Sequence, residues 1–114
     1  MSHQQFQHCI KECLDCAVAC THCVTECLSE EQVDHMKKCI QLDLECAAIC
    51  RSAAEIMSLG SSYSAQFCAI CAEICNACAE ECEKHASMGM EHCRVCAEAC
   101  RKCAAACQEM AMAV

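Results

Sequence analysis

Apolar positions recur along this chain at alternating steps of three and four. The first run is Cys9, Cys13, Cys16, Cys20, Cys23 and Cys27, and a sparser one holds Cys39, Cys46 and Cys50. The alternation returns in Cys68, Cys71, Cys75, Cys78 and Cys82, and again in Cys93, Cys96, Cys100, Cys103 and Cys107. Such spacing draws one straight seam down a helix, whereas a strand would scatter the same residues over both faces. Positions off the seam carry Lys11, Glu12, Asp15, Glu26, Glu73, Glu80, Glu81, Arg94, Glu98, Arg101 and Lys102, and read as solvated surface. Ser29 with Gln32 reads as a capping box. Gly60 followed by Ser61 and Ser62 reads as a helix stop and a new N-cap, and Ser87 with Gly89 as a short reversal. The pattern predicts helices near 3–28, 30–58, 62–86 and 89–111. Short connections between them predict an all-α, antiparallel up-down-up-down four-helix bundle with a cysteine-lined core. Its length of 114 residues suits one domain over 1–114. The last two cysteine runs superimpose at a shift of 25 residues, an internal repeat from which the second helix departs.

Composition sharpens this picture. The chain has 19 Cys, no Pro or Trp, 2 Gly, and a formal charge of −8. Ala, Cys and Met must fill the core that Leu and Phe usually fill. The acidic balance excludes the basic face of a nucleic-acid binder and disfavours an anionic membrane. The first residues show neither a basic n-region nor an apolar h-region, and no apolar run reaches bilayer length. A cytoplasmic location is therefore expected, where thiols stay reduced and clustered cysteines more often hold metal than disulfides.

Three readings of the seams compete. Cysteine is a small buried hydrophobe, but Leu or Ile at repeated seam positions would bury more apolar surface. Disulfides fit poorly, because i,i+4 partners on one rigid helix rarely meet the required torsion. Metal remains. Eight Cys-x-x-x-Cys pairs occur, at 9/13, 16/20, 23/27, 46/50, 71/75, 78/82, 96/100 and 103/107. Two sulfurs one turn apart can grip one ion from nearly opposite sides, a habit of copper(I), whereas zinc prefers four ligands in a tetrahedron. One monovalent ion per thiolate also leaves a neutral core, while four thiolates per zinc leave two excess charges. The expectation is multiple Cu(I) ions, roughly one per cysteine, with some sulfurs bridging. Iron–sulfur and thioredoxin-like roles lack their usual backbone context, and no nucleophile–base pair suggests an enzyme.

The two ends of the predicted bundle differ. One collects His35, Met36, His85, Met88, Met90 and His92; the other collects Phe6, Tyr63 and Phe67 as a plug. His and Met are exchangeable copper(I) ligands, so the first end is expected to be the mouth, with His85, Met36 and Met90 as its ligands. Asp43 falls on the seam of the second helix. It would ligate metal or accept a thiol hydrogen bond there, unless the seam shifts locally to Leu42, the alternative favoured here.

Cys-x-x-x-Cys seams on four helices resemble the bacterial copper storage proteins, a family of cysteine-rich bundles, and lack of a signal resembles its cytosolic branch. The resemblance implies copper(I) on inward-facing thiolates and a homotetramer. It carries ligand roles to the eight pairs, with Cys39, Cys68 and Cys93 as additional ligands. Storage and detoxification of copper(I) is the expected function. A zinc or mixed-metal buffer and a copper chaperone are the alternatives.

Overall fold

The computed structural model describes residues 3–112. Four helices follow one another: α1 (His3–Leu28), α2 (Lys37–Ser58), α3 (Ser64–Ala86) and α4 (Glu91–Met112), with a 3₁₀ turn at Val33–Met36 ahead of α2. Each helix packs on its chain neighbours, and α1 also packs on α4, so the four surround one axis. Cys9 near the start of α1 touches Cys107 near the end of α4, and Cys39 near the start of α2 touches Cys82 near the end of α3. The up-down-up-down arrangement is therefore as expected. The bundle measures 46 × 19 × 17 Å.

Its narrowness follows from the side chains that line it. Every seam cysteine is buried, flanked by buried Ala17, Ala47, Ala53, Ala54, Ala72, Ala79, Ala97 and Ala104. Small residues at these positions let the backbones approach until sulfurs of facing helices touch. Ile10, Ile40, Leu42, Ile49, Phe67 and Ile74 pack around this core from its edges.

The turns depart from expectation at two helix starts, those of α2 and α3. Gly60 (φ 63°) and Gly89 (φ 94°) end α2 and α3 in the left-handed region. At each, two reversed backbone bonds satisfy late carbonyls: Gly60 N–H to Met57 and Ser61 N–H to Ile56, then Gly89 N–H to Ala86 and Met90 N–H to His85. Ser61 Oγ accepts the Tyr63 N–H at 3.0 Å, so it caps the turn before α3 rather than the helix itself. The Ser29/Gln32 capping box does not form. Ser29 donates its hydroxyl back to the Thr25 carbonyl at 3.4 Å, and Gln32 precedes the 3₁₀ turn without a side-chain cap. That turn swings Met36 inward to 1% exposure, and regular α-helix starts only at Lys37.

Candidate metal centre

Stacked side by side, the seams make a column of sulfur along the bundle axis. All 19 cysteines are buried free thiols. Cys23, Cys27, Cys39 and Cys93 group at one end, Cys20, Cys78, Cys96 and Cys100 below them, and then Cys16, Cys20, Cys46 and Cys100. Cys16, Cys46, Cys50 and Cys75 continue the stack, followed by Cys13, Cys71, Cys103 and Cys107; within each group all sulfurs lie within 4.8 Å of one another. The three middle groups share members: Cys20 and Cys100 join one pair of them, and Cys16 and Cys46 join the next.

Distances refine the two-sulfur grip. Neighbours on one helix sit at 3.8–4.0 Å, as in Cys16–Cys20, Cys23–Cys27, Cys46–Cys50, Cys71–Cys75 and Cys103–Cys107. Contacts across helices are as close or closer: Cys46–Cys75 at 3.4 Å, Cys39–Cys82 at 3.6 Å and Cys50–Cys103 at 3.7 Å. A single i,i+4 pair is thus no more natural a unit than a trio drawn from two or three helices. Contacts between sulfurs dominate their acidity, and burial resists ionisation throughout. The Cys50 thiol is pushed up by Cys103, Cys13, Cys16 and Cys46 together with burial, and the Cys100 thiol by Cys16, Cys20, Cys46 and Cys78 with burial. Losing those protons without a cation would leave uncompensated charge in a dry core.

Asp43 corrects the favoured alternative of a shift to Leu42. The carboxyl is fully buried on the seam, while Leu42 only packs against the core's edge. Its Oδ1 accepts from the Cys78 thiol at 3.1 Å, Cys96 at 3.3 Å and Cys82 at 3.7 Å, and its Oδ2 from Cys39 at 3.8 Å. Burial, followed by the nearby Cys96 sulfur, raises its pKa to about 8. Four thiol donors satisfy the group, which explains how it is tolerated there.

At the end nearest Cys27, a depression of about 470 Å³ is lined by Glu30, Glu31, Gln32, His35, Met36, His85, Met88 and Met90. The three residues expected at a mouth are thus brought together: Met36 and His85 buried, Met90 half-buried. His92 is half-buried, and its Nε2 lies 3.7 Å from Cys27 Sγ. Glu81, read from the sequence as solvated surface, is buried at 7% exposure. Its Oε2 meets His85 Nε2 at 3.1 Å, and its Oε1 meets Lys84 at 3.3 Å and Lys38 at 3.8 Å. Although burial pushes its pKa up, the His85 and Lys84 hydrogen bonds hold the carboxyl below its usual value. The signal for Glu81 was present in the sequence: it stands four residues before His85, at helical neighbour spacing.

The opposite end is closed by Phe6 and Met57, both buried, with the Cys68 thiol donating to Met57 Sδ at 3.5 Å. Phe67 packs at its edge, but Tyr63 is exposed and forms no part of the plug.

This architecture has known counterparts. The family profile described as copper storage protein matches residues 2–112. An uncharacterised cysteine-rich protein of Bacillus subtilis, YhjQ, is 46% identical over 60% of this chain, and the match spans 63% of that relative's length. The Cu(I)-bound copper storage protein BsCsp3 superposes with a TM-score of 0.87 at 46% identity, covering 93% of this chain and 97% of its own. A cytosolic copper storage protein from Streptomyces lividans, in a structure of copper loading with five coppers, gives a TM-score of 0.92 at 45% identity, covering 98% and 96%. A sulfur column built from the chain's own spacing, matched over nearly its whole length, makes this protein a member of the copper storage protein family.

Proposed function

We propose that this protein stores copper(I) in its sulfur column and thereby withholds the ion from redox chemistry. The observation that carries the reading is the sharing of sulfurs between successive groups. Isolated tetrahedral sites for zinc would keep four thiolates each to themselves and bury two excess charges apiece. Sulfurs that belong to two groups suit bridging between monovalent, thiophilic ions, and one copper(I) per thiolate leaves the interior neutral. All 19 cysteines serve as ligands in this reading, and residues 1–114 act as one storage domain. His85, Met36 and Met90 pass ions inward from the depression beside Cys27. The cytosolic Streptomyces relative supports the same compartment for this chain.

Anaerobic titration of the reduced protein with copper(I), against a competing chelator, tests the reading. Saturation near one copper per cysteine is expected. Saturation at one or two ions would point to a chaperone, and tighter zinc binding at one ion per four cysteines to a zinc buffer.

A homo-oligomer, a tetramer by likeness to the family, is also proposed. Its support is an open groove between α1 and α2, with Ile10, Leu14, Ala17, Val18, Ala54 and Leu59 as its apolar lining and His22, Arg51 and Glu55 among its polar residues.

A further inference from the structure

We infer that Glu81 is a positioning residue for copper uptake: it holds His85 in the tautomer protonated at Nε2, so that Nδ1 is the donor offered to an incoming copper(I) ion. The inference rests on the reading of the His/Met end as the mouth.

Glu81 and His85 stand one turn apart on α3 and are both buried. A buried carboxylate persists only when paired, and this one is held from two helices by Lys84 of α3 and Lys38 of α2. Two ammonium groups stand against this carboxyl, and a carboxylate so paired only accepts. The proton in the 3.1 Å contact therefore belongs to His85 Nε2. Nδ1 is buried with no hydrogen-bond partner. In this tautomer Nδ1 carries a free lone pair with nothing to accept from, an arrangement that is costly unless something binds it. His85 continues the cysteine seam three residues beyond Cys82 and lines the depression with Met36, Met88 and Met90. A soft cation arriving there meets an imidazole nitrogen already deprotonated and held in register, while the carboxylate behind the ring raises its basicity. Carboxylates behind histidine ligands generally act in this way, and their loss costs about 10–100-fold in affinity or activity.

The test reads the tautomer before any copper is added. Nitrogen-15 shifts of the His85 ring are measured in the reduced full chain for wild type, Glu81→Gln and Glu81→Leu. Wild type is expected as the Nε2–H form, Glu81→Leu as a mixture with Nδ1–H, and Glu81→Gln, which keeps an acceptor, close to wild type. Stopped-flow loading from a chelated copper(I) donor should then slow about 10-fold in Glu81→Leu, comparably in His85→Ala, and no further in the double variant. Helical circular dichroism should not change in any variant, and total capacity should hold in Glu81→Leu. An Nδ1–H ring in wild type, or a tautomer indifferent to Glu81→Leu, overturns the inference. So does wild-type loading by Glu81→Leu while His85→Ala is slow. Wild-type loading by His85→Ala would sink uptake through His85 and the donor role with it, leaving the ring shifts to decide whether Glu81 sets the tautomer.

Discussion

Asp43 sits among Cys39, Cys78, Cys82 and Cys96, nearer the His/Met end than the aromatic one, and its proton is coupled to folding. In the unfolded chain an aspartate titrates near about 3.9; in the bundle, burial and the Cys96 sulfur raise the pKa to about 8. Below about pH 4 both states hold the proton and the fold is not penalised. As pH rises from there, the unfolded chain ionises first and is favoured, so stability falls until the folded carboxyl also ionises near pH 8. The penalty amounts to roughly 5 kcal/mol, at about 1.4 kcal/mol for each pH unit that separates the two titrations. Urea unfolding of the reduced copper-free protein at pH 5 and 8 should therefore show wild type losing several kcal/mol more than Asp43→Asn. Every other ionisable group is common to the two proteins and cancels in the comparison. Equal losses in the two would mean that the carboxyl is not held neutral in the core.

At the scale of the helices, the ends were set by backbone chemistry that short motifs only partly reveal. Both glycines stop their helices with positive φ; the sequence predicted a stop at Gly60 and a short reversal at Gly89. A Cβ at position 89 would meet nothing within 4 Å, so the cost of Gly89→Ala is backbone strain alone. That cost is about 1 kcal/mol, expected as a drop of about 4 °C in the thermal midpoint of the copper-free protein. An unchanged midpoint would show that the turn relaxes out of the left-handed region. The failed capping box teaches the converse. Ser29 and Gln32 have the right identities, but the bundle end requires Met36 to be buried, and a 3₁₀ turn delivers it where an immediate helix does not. Such a demand comes from packing between helices, so the four residues of the motif hold no trace of it.

At the scale of the molecule, Leu14 is 47% exposed and Val18 71%, on the same open groove between α1 and α2. Association of copies through this groove would remove both from water. The Leu14→Glu/Val18→Glu variant is expected to sediment as a monomer with unchanged copper capacity, against a larger wild-type species. A monomeric wild type would refute the oligomer; an oligomeric variant would place the interface elsewhere.

The sequence by itself determined the helices, their antiparallel order and the inward face of all 19 cysteines. Those features follow from a heptad period of about 3.5 residues and from short connections, both properties of the chain read locally. Tertiary structure decided which sulfurs meet. Contacts such as Cys46 with Cys75, and the sharing of Cys16, Cys20, Cys46 and Cys100 between groups, depend on the relative rotation and stagger of four helices. The same is true of Asp43, which stays on the seam because thiols from α3 and α4 reach it. Glu81 is the mixed case: its closest partners, His85 and Lys84, are neighbours on its own helix, and Lys38 approaches from α2. A carboxylate's place is settled by the partners that surround it, and partners brought from other helices are not written in its own.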